Sequence, residues 1–190
     1  MGHSIKVLGL SGSLRRGSYN TATLRAAQQL APDGMAIEIC DLSQIPLYNE
    51  DLRAAGFPDS VQRLREQVTS ADALLFATPE YNFSLPAVLK NAIDWGSRPP
   101  DQPFNGKPGA IMGATIGLRG TSRAQIHLRL VCVAVNILLI NKPEVMIASA
   151  KTKFDEHGAL VDAPTREFIK EALISLQQWV ARLDRSSPRA

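Results

Sequence analysis

The segment Gly9-Leu-Ser-Gly-Ser-Leu-Arg-Arg-Gly-Ser-Tyr-Asn20 gathers groups that could do chemistry: hydroxyls on Ser11, Ser13 and Ser18, guanidinium groups on Arg15 and Arg16, and the amide of Asn20. It starts where an apolar run ends and leads into a helical pattern. A helix start presents unpaired N–H groups and the positive end of the helix dipole, which suits a phosphate. Serine hydroxyls add donors, and an arginine binds two phosphate oxygens at once. Gly12 to Gly17 has the spacing of a nucleoside-triphosphate loop, but Ser18 and Tyr19 follow where a Lys and a Ser or Thr are required. Gly9-Leu-Ser-Gly12 does not supply the G-x-G-x-x-G of a dinucleotide turn. What remains is a metal-free cradle for a terminal monophosphate dianion. The plainer alternative is a serine-rich turn with one capping serine.

Such a loop needs elements to hold it. Ile5 to Leu10 reads as a first strand, Asn20 to Ala31 as a helix with Leu24, Ala27 and Leu30 on one face, and Met35 to Cys40 as a second strand. Residues 41–57 contain Pro46 and Gly56 and read mostly as loop. Ser60 to Ser70 is expected to be helical through Val61, Leu64 and Val68. Asp72 to Ala77 is nearly all apolar, as befits a strand buried on both faces. Ser84 to Trp95 follows as a helix, with Ser84 as N-cap, Pro86 in the first turn and Gly96 just past the end. Pro108 to Met112 is a fourth strand. Thr121 to Val135 is a helix with Ile126, Leu130 and Val133 in register. Ile137 to Ile140 and Val145 to Ile147 compete for the fifth strand. Pro164 to Leu183 closes the chain as a helix that turns Phe168, Ile169, Leu173, Leu176, Val180 and Leu183 inward.

Strand and helix alternating in this way predict an α/β domain: a five-stranded parallel sheet in the order 2-1-3-4-5 with helices on both faces. A ligand then sits beyond the carboxyl ends of the strands, where the winding reverses between strands one and three. Function is therefore expected in the turns after Leu10, Ala77 and Met112.

The 190 residues make one domain by length, with residues 1–4 and 185–190 expected to fray. Lys and Arg number 21 against 18 Asp and Glu, a net charge of +3, and the excess is scattered, so no nucleic-acid stripe is present. No run is long enough to cross a membrane, and the start lacks a leader's apolar core, so a cytoplasmic protein is expected. Cys40 and Cys132 lie far apart in apolar runs and read as buried free thiols. His127 and His157 lack metal-ligand neighbours at suitable spacing, and no metal site is expected.

Gly12-Ser-Leu-Arg-Arg-Gly-Ser-Tyr-Asn20 together with Thr78-Pro-Glu-Tyr-Asn-Phe-Ser-Leu-Pro-Ala-Val-Leu-Lys-Asn-Ala-Ile-Asp-Trp95 closely resembles the NADPH-dependent FMN reductase family. The branch it most resembles is the bacterial quinone reductases that also reduce chromate. The likeness runs from Lys6 to about Val180. It implies a flavodoxin-like fold, bound FMN, NADPH or NADH as hydride donor, and a homodimer or a dimer of dimers. By position, Ser13, Arg15, Ser18 and Asn20 take the phosphate, with Ser11 and Tyr19 beside them. Pro79, Glu80, Tyr81 and Asn82 contact the isoalloxazine ring, and backbone N–H groups of Glu80, Tyr81 and Asn82 are its candidate donors. Tyr81 also suits a dimer interface. Glu80 is open between a structural hydrogen-bonding carboxylate and an acid–base role. Thr115 and Gly117, in the Gly-rich turn Gly113–Ser122, are further cofactor contacts, and Arg119 is expected to face water. Relatives join subunits into a tetramer through an Arg, a Tyr and a Glu. Arg123 and Glu144 are present, but Ile126 replaces the Tyr.

The activity implied is a ping-pong transfer. NAD(P)H delivers hydride to the flavin and leaves, and a quinone, a flavin or an oxyanion such as chromate takes its place. Arg15, Arg16 and Arg119 would make a positive mouth. Two other readings share the fold: an electron-carrier flavodoxin without nicotinamide turnover, and a flavin-free interaction domain.

Overall fold

The computed structural model describes residues 4–186. β1 (Ile5–Ser11) leads through α1 (Tyr19–Leu30) to β2 (Met35–Cys40). A short α2 (Glu50–Ala54) interrupts the segment expected to be loop, and α3 (Asp59–Ser70) returns to β3 (Ala73–Ala77). α4 (Ala87–Gly96), β4 (Pro108–Ala114) and α5 (Ser122–Ala134) follow. β5 (Leu138–Leu139), β6 (Val145–Ile147) and α6 (Ala163–Ser186) complete the chain.

The sheet is parallel in the order β2-β1-β3-β4-β5, as the alternation predicts, with β6 also on β4. Both candidates for the fifth strand are therefore strands. β5 pairs with Pro108 and Gly109 at the start of β4, and β6 pairs with Met112 to Ala114 at its end. The outer position is one strand broken in two, which is why two runs competed for it in the sequence.

Alternation along each inner strand divides the core between the faces. Leu75, Ala77 and Met112 pack with Leu24, Ala27, Ile169, Leu173 and Leu176 from α1 and α6. Leu74, Phe76 and Ile111 pack with Leu64, Val68, Leu89, Ile93 and Leu128 from α3, α4 and α5. β3 is buried along its whole length, as expected.

Several local expectations are corrected. Ser84 does not cap α4. The helix begins after Pro86, because Ser84 is drawn into a hairpin with Tyr81. Ile126, Leu130 and Val133 of α5 face outward, and its buried side carries Ala124, Gln125, Leu128 and Cys132. Phe168 of α6 is exposed, while Ile169, Leu173, Leu176 and Val180 are buried as expected. α6 runs through Ser186, so the tail is helical two residues further than expected. The rest of the expected frayed ends, residues 1–3 and 187–190, lies outside the described residues. Both cysteines are buried free thiols, and burial pushes each up to about 12. Among the described residues no helix is long and apolar enough to cross a membrane.

Candidate functional site at the carboxyl rim of the sheet

Three turns leave the carboxyl ends of β1, β3 and β4 and are pressed against one another. Gly12 N–H donates to Ala77 O at 2.8 Å, so the first turn starts against the second. A Cβ on Gly12 would lie 2.6 Å from Pro86 Cγ and 2.9 Å from Pro79 Cδ, so only glycine passes there. A Cβ on Gly113 would lie 1.9 Å from Thr121 Oγ1 and 2.6 Å from Thr78 O, which sets the same requirement between the second turn and the third. Asn20 closes the ring. Its side chain donates to Ala114 O and accepts from Ala114 N–H, both at 2.9 Å and both buried.

The first turn keeps its donors available. Ser18 is the N-cap of α1 and accepts from Thr21 N–H at 3.2 Å through its hydroxyl oxygen. The Tyr19 and Asn20 amides that follow have no acceptor among the described residues. Ser11 is buried and shares a hydrogen bond with Thr21 at 2.8 Å, so it braces the turn from behind. Ser13 is half-buried and accepts weakly from Arg15 N–H at 3.4 Å. Arg15 is exposed and folds back on its own loop, donating to Gly17 O at 2.6 Å with its guanidinium 5.5 Å from the Tyr19 ring. Tyr19 in turn packs on Phe154, with ring centroids 5.3 Å apart. Asn20, expected at the phosphate through its side chain, has that side chain committed to Ala114, so what it offers a ligand is its main-chain N–H.

The second turn is a tight hairpin. Tyr81 N–H donates to Ser84 O at 3.1 Å and Ser84 N–H to Tyr81 O at 3.0 Å, with Asn82 and Phe83 at φ of 49° and 67° between them. Positive φ at both central positions is the mark of a primed hairpin turn, to which Asn is well suited and Phe is not. The Tyr81 amide is therefore spent inside the turn and cannot serve as one of the expected ring donors. The amides of Glu80 and Asn82 have no acceptor among the described residues. Pro79 is buried, and Tyr81 is exposed at the tip.

Glu80 has a clear structural task. Its Oε2 accepts from Arg123 N–H at 3.0 Å and Ala124 N–H at 3.3 Å, at the start of α5. The helix's own N-cap residue, Thr121, is left-handed and makes no side-chain cap, so Glu80 supplies the cap from another strand's turn. Arg123, placed at a subunit contact by the resemblance, lies 3.7 Å over the Phe83 ring with Nη1 3.7 Å from Glu80 Oε1. Ser84 Oγ and His127 Nδ1 are 3.0 Å apart one turn further along α5. Three residues of α5 thus grip the hairpin, and spacing alone gave no sign of it.

The third turn is likewise fixed. Thr115 N–H donates to Ile147 O and Ser149 N–H to Gly117 O, at 2.9 and 3.0 Å. Thr115 Oγ1 accepts from Gly117 N–H at 3.3 Å. Arg119 is exposed, as expected. A cavity of about 460 Å³ between α3 and Asp41 and Gln44 involves none of these turns.

A glycine-dependent rim at the β1/β3 switch point, with a hydroxyl-capped helix start, is the setting of a flavin phosphate site. The sequence profile described as NADPH-dependent FMN reductase matches residues 5–152. The chain belongs to that family. It is 61% identical to the NAD(P)H-dependent FMN reductase of Pseudomonas aeruginosa, over 96% of this chain and 99% of that one. It is 40% identical to a 2-hydroxy-1,4-benzoquinone reductase of Burkholderia sp., over 93% and 97%. Among solved structures, the flavoenzyme NAD(P)H:(acceptor) oxidoreductase FerB of Paracoccus denitrificans superposes with a TM-score of 0.86 at 33% identity, over 94% of this chain and 98% of that one. As a member of this family the protein is an NAD(P)H-dependent, FMN-using oxidoreductase on a flavodoxin-like fold.

The residues of this chain fit an FMN. Its phosphate needs several donors and no metal, and the first turn supplies free amides, serine hydroxyls and two arginines. Its ring needs a flat approach and main-chain donors. Gly12 and Gly113 let the three turns pack directly on one another, and the Glu80 and Asn82 amides beside them have no acceptor among the described residues.

Proposed function

We propose that the protein is an NAD(P)H:quinone oxidoreductase working through FMN held at this rim. Ser13, Arg15 and Ser18, with the Tyr19 and Asn20 amides, would hold the phosphate, while Ser11 keeps the turn in place. Pro79, Glu80, Tyr81, Asn82, Thr115 and Gly117 would border the ring. When bound, FMN supplies the hydride-accepting and electron-donating chemistry, taking its reducing equivalents from NAD(P)H. The chain's own work is positional. Asn20 ties the helix that carries the phosphate donors to the end of β4, and Glu80 ties the ring-side hairpin to α5. The hairpin's committed amides leave a fixed set of donors, and no nucleophile–base pair is required.

The observation that carries this reading is the convergence of the three turns through Gly12, Gly113 and Asn20. Quinone as acceptor is supported by the relatives named for quinone reduction, of which the 2-hydroxy-1,4-benzoquinone reductase is 40% identical. Flavins and chromate are further acceptors to test beside it. A homodimer belongs to the same proposal, supported by the outward apolar stripe Ile126, Leu130 and Val133 on α5. So does a cytoplasmic setting, where free thiols persist.

The deciding experiment is steady-state NADPH and NADH oxidation by FMN-loaded protein with 1,4-benzoquinone. Sustained turnover is expected. Bound flavin without turnover would mean an electron carrier, and failure to take up FMN would mean a flavin-free domain.

A further inference from the structure

Gln125 lies in the first turn of α5, is 1% exposed, and uses one side of its amide only. Nε2 donates to Thr121 Oγ1 at 3.2 Å and to Val145 O at 3.0 Å, joining the end of the third turn to β6. A main-chain carbonyl can only accept, so the nitrogen must face Val145 and the amide cannot be turned round. Oε1 is then left buried with no hydrogen-bond partner among the described residues. A buried unmatched acceptor lowers stability, and an apolar side chain of similar length would avoid that loss. An apolar side chain could not, however, hold Thr121.

Thr121 needs holding. It stands at φ 66° and ψ 23°, a left-handed conformation that a β-branched residue keeps only under constraint from its surroundings. Its hydroxyl fills the space beside Gly113, where a Cβ would come within 1.9 Å of it. Gly120, at φ 58°, brings the turn directly onto β6: a Cβ there would lie 2.7 Å from Met146 Cβ and 2.8 Å from the Met146 main-chain carbon. Just past Thr121, the Arg123 and Ala124 N–H groups donate to Glu80, which carries the hairpin. Contacts therefore run without a gap from β6 through Gln125 and Thr121 to the start of α5, and from there through Glu80 to the hairpin. We propose that Gln125 is a positioning residue for the flavin ring: its Nε2 fixes the third turn on β6 and, through the start of α5, the hairpin whose Glu80 and Asn82 amides border the ring. This rests on the reading that FMN is held at this rim. Gln125 itself touches neither flavin nor acceptor, and it moves no proton.

The test compares three properties of the full chain: FMN affinity by fluorescence titration, the visible absorption band of the bound flavin, and the urea midpoint without FMN. Gln125→Met removes the donor and the unmatched acceptor together. It is expected to keep the urea midpoint, to bind FMN about tenfold more weakly, and to shift the visible band of the flavin it does bind. Thr121→Val keeps the branched shape and removes the hydroxyl that Gln125 holds, and it should shift affinity and band in the same direction. It also tests the link if Gln125→Met fails to fold. Gln177→Met changes a glutamine that donates to Asp33 O at 2.9 Å, at the opposite end of the sheet, and leaves affinity and band as they are. Unchanged affinity and band in a folded Gln125→Met or Thr121→Val overturn the inference and leave the proposed function standing. A urea midpoint that falls while affinity and band hold gives Gln125 a purely structural task and overturns it as well. An unsubstituted protein that takes up no FMN removes the proposed function first and the inference with it.

Discussion

Replacing Glu80 separates its two candidate roles. Its carboxylate, with the side chain only 13% exposed, receives two main-chain N–H groups at the start of α5, at 3.0 and 3.3 Å. Hydrogen bonds to a charged group contribute about 1.5–3 kcal/mol each, and loss of a helix cap costs about 1 kcal/mol. The longer second bond and the residual exposure argue for the lower end of the combined range. Glu80→Ala is therefore expected to cost roughly 2–3 kcal/mol. In a domain of this size each kcal/mol lowers Tm by about 2–4 °C, so a fall of roughly 5–10 °C should appear in a thermal melt. Glu80→Gln keeps an oxygen acceptor and loses only the charge, at a cost of about 1 kcal/mol. The melts are run without added FMN, because ligand binding alone raises Tm. The same variants are then assayed with FMN and benzoquinone. A positioning carboxylate leaves the Gln variant with most of its turnover, whereas removing a general acid or base costs about 10²–10⁴-fold. A Glu80→Ala melt within about 1 °C of the unsubstituted protein would refute the cap energetics. A hundredfold loss in a stable Glu80→Gln would refute the structural assignment.

Asn20→Ala strips the partners from the buried main-chain N–H and C=O of Ala114, and should lower the urea unfolding free energy by about 2–4 kcal/mol. An unchanged urea midpoint would show that the clamp is idle. Arg15→Ala should weaken FMN affinity by the ~1.5–3 kcal/mol of a charge-assisted bond, read by fluorescence titration, and no change would displace the phosphate from this turn. For Cys40 and Cys132, burial raises both thiols from 9.0 to about 12. Their contribution to stability is complete below pH 9. It is lost as pH rises toward 12, because the unfolded chain gives up protons that the folded one retains. The loss is about 1.4 kcal/mol per pH unit per thiol. A Cys40→Ala/Cys132→Ala variant should show a correspondingly shallower decline in urea midpoint above pH 9.

The parallel order of the sheet and the position of the site were legible because β1 and β3 are short apolar runs that stop at Ser, Gly and Pro. The outward face of α5 was not. Its exposed stripe, Ile126, Leu130 and Val133, is more apolar than its buried side, where Gln125 donates to Thr121 Oγ1 at 3.2 Å and Val145 O at 3.0 Å. Periodicity assigns the greasier stripe inward and cannot see a buried amide nitrogen that finds its acceptor on a distant strand. The tasks of Asn20 and Glu80 were hidden for the same reason: their partners, Ala114 and the 123–124 amides, are far off in the chain. Ser84 looked like a helix cap because Pro86 suits the first turn of a helix that starts there. Only the pairing with Tyr81 shows that the hairpin takes it first.

The broken outer strand bears on what the protein does in a crowded solution. A sheet margin with a long row of unpaired amides is a template on which another chain can add a strand, the first step toward aggregation. Here that margin is two fragments of two and three residues, Leu138–Leu139 and Val145–Ile147, with Pro143 in the stretch between them. An incoming strand finds no continuous ladder to extend. The irregularity that made the sequence ambiguous at this point also blunts the edge against fibril-like growth.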